Sequence, residues 1–261
     1  MAAPLKAQRE ALILQAVRQQ GAARVSELAE ALAVSEMTIR RDIDDLASRG
    51  LCLKVHGGAS RVEGLAREPG FEAKSHANTT AKRAIARAAA RLVQPGQAVA
   101  ISAGTTTVWV AAELAPRAAA EALTIVTNSL PAAETLARAG ATDQTILTGG
   151  VRTPSQALVG PLADAAVRSM RFDWFFLGVH GMDADAGFTT PNVAEAATNR
   201  AFINSARATA VTADASKWAV AALSQIAPLA SASRVFSDES LPPQAARRLR
   251  RATELTLVRV P

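Results

Sequence analysis

The sequence predicts an α/β protein whose main domain has three layers around a mostly parallel sheet, preceded by a small winged helix-turn-helix domain. From residue 98 onward, short apolar segments alternate with helical segments, which is typical of a parallel sheet covered by helices on both faces. Residues 25–58 show two short helices, a tight turn and a hairpin. Apolar periodicity is lost between these regions. We therefore predict a winged domain at residues 5–62, a linker at 63–75 and an α/β domain at 76–261.

The first domain begins with a helix predicted at residues 6–20, with apolar side chains along one face. Ser26 is interpreted as the N-cap of the second helix and Ser35 as the N-cap of the third, because a serine hydroxyl accepts from a first-turn amide. Gly50 suits a left-handed C-cap of the third helix. Three apolar side chains of this helix recur at i, i+4 and i+7 and are expected in the core: Ile39, Ile43 and Leu46.

The third helix then exposes polar side chains in its first turns, the part of a recognition helix that reaches base edges and phosphates. An arginine there can hold a phosphate or bind guanine. The later acidic residues Asp42, Asp44 and Asp45 would repel DNA unless they are solvated or paired with Arg40, Arg41 and Arg49. The predicted DNA-binding residues of the domain are Ser26, Ser35, Glu36, Met37, Thr38, Arg40, Arg41, Lys54 and His56.

Residues 51–56 predict the first strand of the wing. Leu51, Leu53 and Val55 alternate with Cys52, Lys54 and His56, so one face of the strand is expected to be buried. Gly57 and Gly58 supply the hairpin turn, and residues 59–62 form the returning strand. Lys54, His56 and Arg61 are thereby expected on the wing, close to a phosphate backbone.

Composition limits the function classes. The chain has 261 residues, a net charge of +6 and a single cysteine, Cys52. One cysteine excludes an intrachain disulfide and fits a reducing compartment. No apolar run reaches membrane-spanning length and no signal-peptide core is present, so a cytoplasmic protein is expected. Residues 1–62 contain nine Lys or Arg and seven Asp or Glu, so DNA affinity must come from the placement of charges.

The segment VSEMTIRRDIDDLASRGL, followed by KVHGGA, resembles the N-terminal signature of the DeoR family of bacterial transcriptional regulators. The resemblance covers about residues 8–60 and implies that residues 25–44 are the helix-turn-helix. The alternatives are a small helical domain whose arginines are only solvated, and a winged domain that binds protein.

The second domain is predicted from alternating strands and helices. Its strands are expected at residues 98–102, 123–127, 144–148, 173–179, 209–213, 234–237 and 255–260. Its helices are expected at residues 78–93, from the Gly-Thr loop to about 115, and at 131–139, 161–170, 192–207 and 242–251. Residues 180–187 are interpreted as a loop.

Small polar residues follow several of these strands, at the edge of the sheet where such domains bind ligands. Gly104 allows close approach of the backbone to a ligand, and Thr105 to Thr107 open a helix whose amides favour an anion. Lys217 is a candidate cation for the same anion. A phosphate with a polyol, that is, a phosphorylated sugar, fits this chemistry. The predicted effector-binding residues are Ser102, Gly104, Thr105, Thr106, Thr107, Thr127, Asn128, Gly149, Gly150, His180, Asp183 and Lys217.

Each feature also has a structural interpretation. A Gly-Thr loop is often only a turn, and Gly149-Gly150 fits a turn better than a contact. His180 fits a core or surface imidazole equally well, and Asp214 fits a cap or a partner of Lys217. The convergence of several strand ends favours a site.

The segments SAGTTT, IVTNS, LTGG, FDWFFLGVHGMD, GFTT and ADASKW resemble the DeoR-type sensor domain over about residues 76–235. That domain is similar to sugar-phosphate isomerases, and the resemblance implies binding of a phosphorylated sugar or related metabolite. Two positions depart from the family. Ser102 replaces a usual Asp and Asn199 replaces a frequent Lys, so the usual ligand need not transfer.

These observations favour a transcriptional regulator, a repressor of sugar or carbon metabolism genes, that binds double-stranded DNA and responds to a phosphorylated sugar. Palindromic operators imply a homodimer or homotetramer. No cofactor is expected, and no metal ion, because three His and one Cys lack ligand spacing. The alternative is a phosphosugar isomerase whose general base would be Asp173, Asp183, Glu195 or Lys217. The absence of a carboxylate at position 102 weighs against it.

Overall fold

A computed structural model describes residues 5–20, 22–48, 51–55, 57–61 and 70–260. The chain divides into two compact units, Met1–Gly64 and Leu65–Pro261. None of the helices in the described ranges is both long and apolar enough to cross a membrane.

The first unit is a winged helix-turn-helix with a three-stranded antiparallel sheet in the order β1-β3-β2. The predicted wing had only two strands, and β1 adds the third. The side chains of Ile39, Ile43 and Leu46 are buried in the core of this unit, as predicted. The elements are α1 (Lys6–Gln20), β1 (Ala22–Arg24), α2 (Val25–Ala31), α3 (Glu36–Ser48), β2 (Cys52–Val55) and β3 (Gly58–Arg61).

The two predicted N-caps have different outcomes. Ser35 caps α3 as predicted, because its Oγ accepts a hydrogen bond from the Thr38 amide at 3.2 Å. Ser26 does not cap α2, because the helix begins at Val25 and its N-cap is Arg24. The prediction was wrong by two positions, and Ser26 lies exposed in the first turn. The predicted C-cap, Gly50, lies outside the described residues.

The wing departs from the predicted burial. Only Cys52 of β2 is buried, whereas the side chains of Leu51, Leu53 and Val55 are 45%, 53% and 43% exposed. The alternation predicted the strand correctly. The expectation that its apolar side chains are buried was wrong. The physical reason is that β2 is an edge strand that meets the core only at its start. Gly57 forms the predicted turn with φ +78°.

The second unit is an α/β domain with nineteen named helices and strands in its described part. They are α4 (Phe71–Ser75), α5 (Thr79–Ala90), β4 (Ala98–Ile101), α6 (Thr105–Leu114), β5 (Thr124–Thr127), α7 (Leu130–Arg138), β6 (Thr145–Leu147), β7 (Val151–Arg152), β8 (Leu158–Val159), α8 (Pro161–Arg168), β9 (Phe172–Leu177), β10 (Gly181–Asp183), β11 (Gly187–Thr190), α9 (Val193–Ser205), β12 (Ala206–Thr212), β13 (Ser224–Ala227), β14 (Arg234–Asp238), α10 (Pro243–Ala252) and β15 (Glu254–Val258).

A seven-stranded parallel sheet in the order β15-β14-β12-β9-β4-β5-β6 forms its centre. Two clusters of buried apolar side chains pack with the sheet and its helices. The predicted fold class, three layers around a mostly parallel sheet, is confirmed. The chain adds strands on one side from β4 to β6 and then on the other from β9 onward. The loops after β4 and β9 therefore lie at the switch point where such sheets bind ligands.

Several segments differ from the sequence-based expectation, and β7, β8 and β13 were not predicted. Residues 180–187, interpreted as a loop, contain β10 and the first residue of β11, and these two strands form an antiparallel sheet with β13. The predicted linker, residues 63–75, ends in the helix α4. The Phe71 amide donates to the Pro154 carbonyl at 3.3 Å, and Lys74 Nζ donates to Ser155 Oγ at 3.2 Å, so α4 packs on the α/β unit.

Candidate functional site

The N-terminal turns of α3 form the candidate DNA-binding surface. Burial of the apolar stripe leaves Glu36, Met37, Arg40 and Arg41 exposed, and Met37 is 62% exposed despite its apolar side chain. Thr38 is half-buried, and its Oγ1 lies 2.9 Å from Ser35 Oγ. An exposed set of this kind at a helix start is able to contact base edges and phosphates.

The acidic residues of α3 are paired with other parts of the unit. Asp42 is buried and accepts hydrogen bonds from Arg9 of α1, with Nε at 2.6 Å and Nη2 at 3.0 Å. This hydrogen bonding raises the pKa of Arg9 above its ordinary value. Asp45 pairs with Lys6 at 2.5 Å, and Asp44 pairs with Lys54 at 2.5 Å. Among the described residues none of the three aspartates pairs with Arg40 or Arg41, and Arg49 lies outside them. The side chains of Asp44 and Asp45 are 50% and 51% exposed, in keeping with the solvated alternative.

The two arginines of α3 differ in their surroundings. Arg40 pairs with Glu36 one turn earlier, with Nη2 3.2 Å from Oε2. Arg41 is exposed and makes no ion pair within the described ranges of the chain. Its guanidinium is thus available to an external anion. On the wing Lys54 is exposed, whereas His56 lies outside the described residues.

The α/β unit has a cleft at the switch point, beyond the carboxyl ends of β4, β9 and β12. The loops after these strands, the short helix α4 and the start of α9 surround it. The residues that line the cleft are Phe71, Lys74, Ala103, Gly104, Thr105, Thr106, Ser155, Gly178, Val179, His180, Thr190, Pro191, Glu195, Asn199, Thr212, Ala213 and Lys217.

Five predicted effector residues lie in the cleft wall: Gly104, Thr105, Thr106, His180 and Lys217. Gly104 is the N-cap of α6, and Thr105 and Thr106 form its first turn. The first amides of a helix lack intrahelical partners, so this turn favours an anion. Lys217 adds a cation to the same cleft.

Four other predicted residues support the loops through hydrogen bonds and do not line the cleft. Ser102 Oγ accepts from the Gly178 amide at 2.8 Å, and Thr107 Oγ1 donates to the Ser102 carbonyl at 2.7 Å. Thr127 Oγ1 donates to the Ile101 carbonyl at 2.7 Å. Asn128 accepts from the Ala103 amide and donates to the Leu158 carbonyl, both at 3.0 Å. These bonds join the loops after β4, β5 and β9.

The remaining three predicted residues lie where strands are connected: Gly149 and Gly150 between β6 and β7, and Asp183 at the end of β10. Gly149 and Gly150 have φ of +74° and +119°, and a Cβ on Gly150 would lie 2.6 Å from the Val159 carbonyl oxygen. Asp183 Oδ1 accepts from the Asp185 and Ala186 amides at 2.9 Å. The amides of Ala186 and Asp185 lower the pKa of the Asp183 carboxyl. None of the three lines the cleft.

Three cleft residues, Glu195, Asn199 and Thr212, were not in the predicted effector set. Asn199 was named only as a departure from the family and Glu195 only as a general base of the alternative, whereas Thr212 was not singled out. Asn199 Oδ1 and Thr212 Oγ1 are buried and have no hydrogen-bond partner in the described structure. Buried polar atoms in proteins are nearly always paired, so unpaired ones in a cleft wall point to a bound group. The available signal was the spacing of Glu195 and Asn199, which puts both on one face of a helix.

Asp214 and Lys82 form hydrogen bonds to the segments that carry the cleft residues Lys217 and Lys74. Asp214 caps the 3₁₀ turn Ala215–Lys217, because its Oδ1 accepts from the Ser216 amide at 3.1 Å, and it also accepts from Asn78 Nδ2 at 2.9 Å. The capping interpretation of Asp214 is confirmed. Lys82 is buried, and its Nζ donates to the Lys74 carbonyl at 2.6 Å. Burial lowers the pKa of Lys82. No group of three metal-ligating side chains occurs among the described residues.

Two family models match the chain. The DeoR-like helix-turn-helix domain matches residues 9–64, and the DeoR C-terminal sensor domain matches residues 77–239. Together they span well over half of the sequence.

Curated relatives are similar over nearly the whole length. The L-fucose operon activator of Haemophilus influenzae is 34% identical, over 90% of this chain and 92% of the relative. The HTH-type transcriptional regulator GlpR of Haloferax volcanii is 35% identical, over 91% of each. The HTH-type transcriptional repressor CsqR of Escherichia coli K12 is 32% identical, over 89% of this chain and 87% of the relative.

Solved structures are similar over about half of the chain. Ribose 5-phosphate isomerase A of Methanocaldococcus jannaschii has a TM-score of 0.41 and 16% identity, over 54% of this chain and 55% of that chain. The eIF2B delta subunit of Chaetomium thermophilum has a TM-score of 0.40 and 18% identity, over 55% of this chain and 50% of that chain.

Proposed function

The chain belongs to the DeoR family of helix-turn-helix transcription regulators, and on that premise we propose that it represses sugar or carbon metabolism genes until a phosphorylated sugar binds its cleft. The observation that carries the ligand part is the cleft itself. It combines a helix N-terminus and Lys217 with the unpaired buried atoms of Asn199 and Thr212.

DNA binding is assigned to α3 and the wing. The aspartates of α3 are paired with Lys6, Arg9 and Lys54, so they repel phosphates less than bare carboxylates would. Arg41 is exposed at the helix start, where recognition helices contact DNA. We propose that two copies of the chain bind the halves of a palindromic operator, because one unit of this size reads only one half-site.

Effector binding is assigned to the cleft. The first turn of α6 and Lys217 fit an anionic phosphate, and hydroxyls and amides elsewhere in the wall fit a polyol. Phe71 and Lys74 of α4 also line the cleft. Since α4 is the first described element after the helix-turn-helix unit in the sequence, a ligand held there acts on residues close in sequence to the DNA-binding unit. The coupling free energy expected for such regulators is about 1–3 kcal/mol.

An enzymatic role is not proposed, because these three curated relatives are named as an operon activator, a transcriptional regulator and a transcriptional repressor. Of the four general-base candidates, two lie away from the cleft wall. Asp173 is at the amino end of β9, where its Oδ2 accepts from the Ala98 amide at 3.0 Å, and Asp183 lies at the end of β10. Glu195 and Lys217 line the cleft, so assays with pentose and hexose phosphates remain the direct test, and no turnover is expected.

The central experiment measures binding of the full-length protein to DNA from its own promoter region, with and without sugar phosphates. Wild-type protein should bind at least one fragment and release it when the matching sugar phosphate is added. Lys217→Ala should still bind the fragment but fail to respond, whereas Arg247→Ala, which removes an exposed cation from α10, should respond normally. If no fragment binds, or if Lys217→Ala responds fully, the proposal is wrong.

A further inference from the structure

Two buried side chains of the cleft wall lack hydrogen bonds. Asn199 on α9 is 7% exposed and Thr212 at the end of β12 is 1% exposed. Asn199 Oδ1 and Thr212 Oγ1 have no partner within the described part of the chain. Leaving such groups unpaired costs stability, so their place in a cleft indicates that a ligand supplies the missing partner.

Glu195 lines the same cleft and lies on α9, one turn before Asn199. Its Oε1 accepts from Thr153 Oγ1 at 2.6 Å and its Oε2 accepts from Thr190 Oγ1 at 3.3 Å. The carboxylate is thus held in place beside the cleft. An ionised carboxylate only accepts hydrogen bonds, whereas a threonine hydroxyl and an amide both donate and accept.

We propose that Asn199 and Thr212, next to Glu195, are specificity-determining residues that bind a hydroxyl group of the ligand rather than its phosphate. This inference rests on the proposed function, namely that a phosphorylated ligand occupies the cleft. A hydroxyl is the group that satisfies both unpaired atoms, because it donates to Asn199 Oδ1 and accepts from Thr212 Oγ1.

A ligand-binding role of Thr212 makes a prediction that a purely structural role does not make. A threonine hydroxyl that pairs within the protein stabilises the fold, and its removal lowers stability. The Thr212 hydroxyl pairs with nothing described here, so Thr212→Val, which keeps the shape, should leave the ligand-free protein at least as stable. The same change should weaken binding of the ligand.

The chain offers a matched control. Thr198 is also buried on α9, but its Oγ1 donates to Asp164 Oδ1 at 2.6 Å. Thr198→Val should therefore lower the melting temperature and leave ligand affinity unchanged. The two valine variants are expected to behave in opposite ways in both measurements.

The experiment is calorimetric titration of the full-length protein with inorganic phosphate, ribose 5-phosphate, glucose 6-phosphate, fructose 6-phosphate and the 2-deoxy analogues of the first two sugars. Thermal unfolding without ligand is measured alongside. At least one sugar phosphate should bind the wild type more tightly than inorganic phosphate. Thr212→Val and Asn199→Leu should each weaken that sugar phosphate by at least about 10-fold, since sites that bind a hydroxyl discriminate strongly against its loss. Inorganic phosphate should bind both variants as it binds the wild type.

Other outcomes overturn the inference in distinguishable ways. Equal loss of inorganic phosphate and sugar phosphate would mean that these residues bind the phosphate itself. Unchanged sugar-phosphate affinity in Thr212→Val and Asn199→Leu would mean that they bind no ligand. If inorganic phosphate binds and no sugar phosphate binds more tightly, the hydroxyl contact is absent while the anion site stands. If neither binds the wild type, the proposed function fails as well.

Discussion

Arg41 differs from four other basic residues of the helix-turn-helix unit because it has no ion pair among the described residues. Arg9, Lys6, Lys54 and Arg40 each pair with a carboxylate of the same unit. Arg41 has no such ion pair among the described residues and is exposed near the start of α3. A free guanidinium loses no internal bond when it binds a phosphate, so Arg41 is the best single residue to test for DNA contact.

We expect Arg41→Ala to weaken operator binding and to reduce the slope of log affinity against log salt by about one, the value for one neutralised phosphate. The measurement is fluorescence anisotropy with labelled operator over a range of salt concentrations. Arg250→Ala removes an exposed charge from α10 of the α/β unit and should leave the slope unchanged. An unaltered slope in Arg41→Ala would show that the contact is absent.

The tryptophans give a residue-scale report on the cleft. Trp218 directly follows the cleft residue Lys217 and packs on the apolar core. Trp109 follows the Gly-Thr loop in sequence, but its ring lies 4.5 Å from the Arg83 guanidinium, and it does not line the cleft. We expect a bound sugar phosphate to change the emission of the wild type and of Trp109→Phe but not of Trp218→Phe. A response that disappears with Trp109→Phe instead would place the ligand elsewhere.

At the scale of elements, the start of α3 depends on its cap. Ser35→Ala should destabilise the helix by about 1 kcal/mol, because the Thr38 amide loses its acceptor. Ser26→Ala should change stability by less than about 0.5 kcal/mol, because Ser26 is exposed and caps nothing. Amide hydrogen exchange in α3 of the full-length protein separates the two. Equal effects would contradict the observed cap geometry.

The contact between α4 and α5 should depend on pH through Lys82. Burial lowers the pKa of Lys82 from the ordinary 10.5, so the folded protein binds fewer protons than the unfolded chain between the two pKa values. Stability from this group therefore rises with pH in that window. The unfolding free energy of the wild type minus that of Lys82→Met should increase from neutral pH towards 10.5. A flat difference would mean that folding does not lower the pKa of Lys82.

Local patterns predicted most elements but not their edges. The i, i+4, i+7 repeat of Ile39, Ile43 and Leu46 predicted α3, because residues at this spacing lie on one face of a helix. The N-cap of α2 was predicted two positions too late, at Ser26. The start of a helix depends on the local backbone conformation, which a nearby serine does not determine. Leu53 is exposed because β2 is an edge strand. The position of β2 in the sheet is set by its pairing with β3 and cannot be read from the alternation of residues.

The site was harder to predict than the fold. Gly104 to Thr106 were found because a strand, a glycine and a helix start lie together in sequence. Asn199 was noticed only through the family resemblance and Thr212 not at all, because α9 and β12 bring them to the cleft only through the topology of the sheet. The hairpin of β10 and β11 was missed for the same reason, since its third partner, β13, comes much later in the chain.

At the scale of the whole molecule, the proposed regulation must work in both directions. If the effector weakens operator binding by some factor, the operator must weaken effector binding by the same factor. For a coupling of about 1–3 kcal/mol the factor is about 5- to 150-fold. Titrating the sugar phosphate into protein with and without saturating operator measures it. Unequal factors would show that the two sites are not linked by one equilibrium.

The position of the single thiol has a practical consequence. Cys52 is the sole cysteine of the sequence, it is 1% exposed, and burial raises its pKa, so a thiol-reactive dye cannot reach a reactive thiolate while the winged unit is closed. The rate at which the dye modifies Cys52 therefore measures how often the helix-turn-helix unit opens. The measurement needs no substitution and puts no label on the α/β unit.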